Sequence, residues 1–143
     1  MFIGDGGTRK SRGGCPNITT ADSEVVEAIY DYANKIGCAV RVDHKPGNAA
    51  SSYFFTYDKS NYKVDGKRIV NNFTEQLRAA GIDSIGCGNK FVPENYKRGS
   101  VETRRQVLAG LIDSDGHVYN EHKSVDYVTK SKQLAEDVVF IAR

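Results

Sequence analysis

Leu108-Ala109-Gly110-Leu111-Ile112-Asp113-Ser114-Asp115-Gly116 is the stretch on which the reading of this chain turns. Val107, Leu108, Leu111 and Ile112 recur at helical spacing. Upstream, Ser100 offers an oxygen to cap the helix start, and Glu102 lies in the first turn, where the positive end of the helix dipole favours an acid. The helix is expected to stop at Asp115-Gly116, which sets Asp115 at the negative end of that dipole, against local preference. A single Asp-Gly pair after a helix ordinarily serves as a turn.

The pair does not stand alone. Gly4-Asp5-Gly6 matches Ser114-Asp115-Gly116, and at nearly the same distance downstream Thr20 to Ala33 matches Thr129 to Ala142. In the second pairing Thr20/Thr129, Glu27/Glu136 and Ala33/Ala142 are identical, while Val25/Leu134 and Ile29/Val138 stay apolar. The intervening order of elements repeats too. Gly6 to Thr20 reads as a two-stranded ribbon. Asp22 caps a helix from about Ser23 to Lys35 that Gly37 closes. Cys38 to Val42 and Tyr53 to Tyr57 read as strands around the turn Lys45-Pro46-Gly47-Asn48, and Lys67 to Ala80 returns to helical period. After the helix that ends at Asp115, His117 to Asn120 and Val125 to Thr129 read as strands, and Ser131 caps a last helix through Leu134, Val138, Val139 and Ile141. A duplicated α+β unit is the expectation, with residues 1–88 as one half and 89–143 as a connection and a second half.

The bulk properties bound what such a chain does. Its 143 residues, 39% hydrophobic and 27% charged, suit an ordinary core, and no apolar run reaches the roughly 20 residues that cross a bilayer. With neither a secretory nor an organellar leader pattern at the start, the expected setting is intracellular, cytoplasmic or nuclear. Cys15, Cys38 and Cys87 are odd in number and too scattered for a zinc site, so they read as reduced thiols. The sequons at Asn17 and Asn72 then carry no glycan. A net charge of +2 leaves any polyanion affinity to local clusters. Asp113-Ser114-Asp115-Gly116 also resembles the opening of a calcium loop, but His117 and Val118 stand where that loop needs an oxygen ligand and a glycine, and Ser124 where it needs glutamate.

The nine residues from Leu108 to Gly116 resemble the LAGLIDADG signature of homing endonucleases at all but one position. Phe2-Ile3-Gly4-Asp5-Gly6 is similar to the tail of a divergent first copy. The resemblance extends over the whole chain and implies the LAGLIDADG homing-endonuclease fold, a pseudo-twofold repeat of α-β-β-α-β-β-α truncated at both ends. In that family the signature helix packs on its twin, which gives Ala109 and Gly110 a role as small residues at the crossing. The implied activity is that of an intein-encoded, site-specific homing endonuclease working as a pseudo-symmetric monomer on double-stranded DNA. A flanking intein splicing domain is expected in the parent protein, because no splicing junction is visible at either end, and the segment by itself is expected to be inactive. The family's other possibilities are an RNA-splicing maturase and a non-cleaving DNA-binding remnant.

By the same resemblance Asp5 and Asp115 are the metal ligands, for Mg²⁺ or Mn²⁺. The physics agrees: two carboxylates brought together at helix ends repel each other unless divalent cations lie between them and a phosphate. Asp113 has Ile3 as its counterpart, so no symmetric metal role falls to it. Lys90, in Lys90-Phe91-Val92-Pro93, is similar to the Lys-x-x-Pro of intein endonucleases of the yeast vacuolar-ATPase type, which implies a catalytic lysine. Arg9, Lys10 and Arg12 on the first ribbon, with Arg41 and Lys45 on the second, are the implied DNA-binding cations. Tyr53, Phe54, Phe55 and Tyr57 are expected to fill the sheet's buried face.

Overall fold

The computed structural model describes residues 2–7, 15–57, 71–119, 121 and 123–143. Arg9, Lys10 and Arg12 lie outside the described residues, as does the start of the helix expected from Lys67. The chain is α+β and forms two compact units, Gly6–Ser84 on one side and Met1–Asp5 with Ile85–Arg143 on the other.

In the unit Gly6–Ser84, strands β1 (Gly6–Gly7), β2 (Asn17–Thr20), β3 (Cys38–His44) and β4 (Ser51–Tyr57) make one antiparallel sheet in the order β1-β2-β4-β3. Helix α2 (Ser23–Ile36) starts where the Asp22 carboxylate accepts from the Glu24 and Val25 amides, and stops where Gly37 takes φ 69°. Helix α3 (Asn72–Ala79) begins at Asn71, whose side chain accepts from the Thr74 amide and donates to the Phe55 carbonyl at 2.7 Å. That residue is buried, so one amide both caps a helix and ties it to the sheet.

Strand alternation divides the four aromatics of β4, which were expected on one buried face. Phe55 is 1% exposed and packs on Phe73 with ring centroids 4.3 Å apart, and Tyr53 meets Tyr30 edge-on. Tyr57 is 46% exposed at the strand end. Phe54 points to the opposite face, under the Arg41 guanidinium 4.4 Å from its ring centroid, because the two residues are cross-strand partners.

In the other unit, α1 (Phe2–Asp5) packs beside α5 (Val101–Asp115), whose start is capped by Ser100 accepting from the Thr103 amide. Strands β5 (Gly116–Tyr119) and β6 (Ser124–Tyr127) form a separate antiparallel hairpin, and α6 (Lys132–Ile141) is capped by Ser131. The short α4 (Glu94–Lys97) and a 3-10 turn at Cys87–Asn89 complete it. Val92, Leu111, Leu134 and Ile141 form the core, with Ile3, Val107, Leu108, Tyr127 and Val138 packed around them.

One carboxylate sits in that apolar setting. Asp137 falls on the stripe of Leu134, Val138 and Ile141 and is 2% exposed. It accepts from the Val92 amide at 2.8 Å, from the Lys97 ammonium at 2.8 Å and from the Gln133 amide at 3.0 Å. A buried charge is tolerated only when so fully partnered. Asp137→Ala should therefore lower unfolding stability by about 3 kcal/mol, the usual cost of breaking a buried ion pair from one side. Glu136→Ala, on the exposed neighbour, should cost under about 0.5 kcal/mol. Urea melts of the two variants check this.

Candidate active site

The site is built where two helices end side by side. Helix α5 delivers Asp115 as its last residue and α1 delivers Asp5 as its own. What brings them together is the absence of a side chain at Gly4. A methyl group there would fall 1.9 Å from Ser114 Oγ, 2.6 Å from Ser114 Cβ and 3.0 Å from Asp115 Oδ2. The helix-to-helix contact is thus made at Gly4 against Ser114, whereas Ala109, one of the two small residues expected at the crossing, is exposed. Ser114 completes the contact by donating to the Leu111 carbonyl at 3.0 Å, which keeps its hydroxyl against its own helix.

The second glycine of the signature has a different task. Gly116 begins β5 directly out of the last turn of α5, its amide hydrogen-bonded to the Ile112 carbonyl. A Cβ at this position would lie 2.5 Å from that carbonyl oxygen and 2.7 Å from the Ile112 Cα. The residue is glycine because the backbone reverses against the helix, and its φ of −92° is open to any residue.

Lys90 joins the same place. It is half-buried, and its ammonium donates to the Gly4 carbonyl, the last but one residue of α1. Its backbone is anchored in turn: the Lys90 carbonyl accepts from the Ser131 hydroxyl at 2.5 Å, and the next-but-one amide, that of Val92, is held by Asp137. The loop Lys90–Val92 is therefore tied to α6 at both ends, which directs the lysine towards α1. Sequence reasoning missed Ser131 as more than a cap and missed Asp137 altogether. The signal for Asp137 was present, as an acid at a core position of an otherwise apolar helical stripe.

The electrostatics follow from this geometry. Partial burial of the Asp5 carboxyl raises its pKa above the ordinary 3.8, the neighbouring Asp115 charge raises it further, and Lys90 pulls it down without cancelling the other two. Tyr127, on β6, is pushed to about 12 by burial first and by Asp115 and Asp5 after it. Among the described residues, Lys90 is thus outweighed by burial and the neighbouring acid. Among the described residues no cluster of three or more His, Cys, Asp or Glu makes a closed metal cage. Two carboxylates with water and phosphate completing the shell suit Mg²⁺, which binds few protein ligands and keeps several waters. The oxygen donors of Asp5 and Asp115 fit such an ion, and the raised pKa of Asp5 is the response of a carboxylate that would gain from one.

The cations expected to meet DNA are divided by what the structure describes. Arg41 is exposed on the sheet face opposite α2, over Phe54 and 3.5 Å from Asp43, and Lys45 is exposed in the turn that follows β3. The calcium-loop alternative finds no support here, since His117 stacks edge-on with Tyr119 inside the β5-β6 hairpin at 4.4 Å.

Two outcomes follow. Gly4→Ala should destabilise the unit by about 1–3 kcal/mol through overpacking at the helix contact, and adding Ser114→Gly should restore part of the loss; calorimetric melts of the single and double variants check the coupling. Asp5→Asn should raise the melting temperature at neutral pH. A carboxyl whose folded pKa lies above 3.8 leaves stability intact below that value, and stability is lost as pH rises and the group ionises in the fold. The gain from Asp5→Asn should therefore shrink towards zero as the pH is lowered to about 3.8, which melts of both proteins across pH 3 to 7 would show.

Comparison with known proteins shows what this chain is similar to. The model of the LAGLIDADG-like domain matches residues 102–143, which hold α5, the β5-β6 hairpin and α6. The homothallic switching endonuclease of Saccharomyces cerevisiae is 26% identical over an alignment that covers 100% of this chain and 25% of that protein. The replicative DNA helicase DnaB of Mycobacterium intracellulare is 39% identical over 69 residues, 48% of this chain and 11% of the helicase. The chain thus spans at most about a quarter of the length of these two relatives. Residues 102–143 thus match a LAGLIDADG-like domain, and the whole chain is similar to a stretch of an endonuclease.

Proposed function

We propose that the chain is the DNA-cutting part of an intein-encoded, site-specific homing endonuclease that hydrolyses phosphodiester bonds of double-stranded DNA with a divalent metal. The observation that carries this reading is the pair of acids, Asp5 and Asp115, delivered by adjoining helix ends across the Gly4–Ser114 contact. Its intein context draws support from the relatives: a helicase and an endonuclease share sequence with this chain over minor parts of their lengths, as a domain inserted into unrelated hosts would. We also take residues 1–88 and 89–143 as two halves of a duplicated unit, on the internal match of Gly4-Asp5-Gly6 to Ser114-Asp115-Gly116.

Asp5 and Asp115 would hold Mg²⁺ or Mn²⁺, which when bound supplies charge stabilisation to the phosphate and a more acidic water. The chain's own residues supply the rest. The Gly4–Ser114 contact fixes the two carboxylates relative to each other before DNA arrives, so no reorganisation is needed during the reaction. Lys90, steered by Ser131 and Asp137, presents its ammonium to the phosphate oxygens and balances part of the carboxylate charge. Arg41 and Lys45, with Arg9, Lys10 and Arg12, supply phosphate attraction and, through arginine, the means to read guanine in the major groove. The Asp43 carboxylate beside Arg41 tempers the first of these on that face.

The test is cleavage of supercoiled plasmid in Mg²⁺ or Mn²⁺ by the 143-residue chain and by the complete reading frame that carries it. Asp115→Asn should bind DNA within about threefold of wild type by gel shift and lose cutting altogether, because the amide lacks the charge that holds the ion. Lys90→Ala should slow single-turnover cutting by about 10- to 100-fold while weakening binding much less, since one lysine among many adds little affinity. DNA binding with no metal-dependent cut by the complete reading frame would establish a non-cleaving remnant instead.

A further inference from the structure

The hydroxyl oxygen of Tyr127 is buried, and it has no hydrogen-bond partner among the described residues. Buried phenols normally find one, because an unmatched polar atom costs stability for no return. The ring cannot swing away to seek a partner, since it packs on the core of Val92, Leu111, Leu134 and Ile141 at the end of β6. It pairs across the hairpin with Gly116, the residue directly after Asp115. Core packing and strand pairing thus set Tyr127 next to the residue that follows Asp115, where its hydroxyl interacts with the Asp115 and Asp5 charges and finds no acceptor among the described residues.

We propose that the Tyr127 hydroxyl is a third polar group of the site, donating a hydrogen bond to a non-bridging oxygen of the phosphodiester brought against Asp5 and Asp115. This rests on the nuclease reading above. Within that site the phenol has a part that neither acid can take. The carboxylates are acceptors only when ionised, and a phosphate oxygen needs donors. Lys90 supplies one donor, and its ammonium is already engaged with the Gly4 carbonyl. A phenol carries its proton at neutral pH and can therefore donate there.

The experiment uses the same two proteins, the 143-residue chain and the complete reading frame that carries it, with and without Tyr127→Phe. Two readouts are taken. The first is the ring-carbon resonance of Tyr127 in the 143-residue chain carrying carbon-13 at the tyrosine Cζ positions, identified by its loss in the variant and followed as a 30-base-pair duplex is added in Mg²⁺. The second is the single-turnover rate on supercoiled plasmid, with duplex affinity measured by anisotropy. The resonance should move on adding duplex. Tyr127→Phe should slow cutting by about 10- to 100-fold, the range for one hydrogen bond to a charged group, with duplex affinity within about threefold. A resonance that stays put overturns the proposal, as does an unchanged rate in a wild type that cuts. A complete reading frame that fails to cut while the Tyr127 resonance still moves overturns the nuclease reading and keeps the phosphodiester contact.

Discussion

Everything at this site depends on the contact between Gly4 and Ser114. It joins two helix ends so closely that no Cβ fits, and each helix ends on an aspartate. Helix ends do not welcome acids, and two acids in one place repel. The arrangement is therefore held by packing against its electrostatics, with Ile3 from one helix and Leu108 from the other packed on the core that Leu111 belongs to. Stability given up at a site in this way is a recurring mark of function.

A second constraint keeps the counter-charge in place. Lys90 sits on a loop without regular structure, where a lysine would ordinarily wave in solvent. Here the loop is fastened to α6 by the Ser131 hydroxyl at one end and the Asp137 carboxylate at the other. Lys97 completes the Asp137 shell from α4, so three elements meet on one buried carboxylate. The energetic logic is that of a satisfied buried network, which gives up little stability when complete and much when one member is removed.

Local rules carried much of the fold in the sequence. Asp22, Ser100 and Ser131 cap the helices expected of them, and Gly37 closes α2 with a positive φ, because capping is decided by a few neighbouring residues. The strands Cys38–His44 and Ser51–Tyr57 run longer than their apolar cores suggested, since pairing recruits polar ends such as His44 and Ser51. The two aspartates were legible as a repeated acid-glycine turn. What was not legible depends on three dimensions. The small residue shown at the helix contact is Gly4, set against Ser114. The Tyr127 hydroxyl became visible only once its ring was seen in the core. Tyr57 escaped the buried face because it ends its strand, a matter of sheet extent and not of residue type.

The central proposal is that Asp5 and Asp115 share one divalent cation, and Mn²⁺ binding tests it with no need of a DNA target. Electron paramagnetic resonance of free Mn²⁺, titrated against the chain at pH 7, counts bound ions directly. The expected result is saturable binding in wild type that falls by at least about tenfold in affinity in Asp5→Asn and in Asp115→Asn alike, since either change removes half of the charge that holds the ion. Binding that survives both single changes undiminished would contradict a shared site.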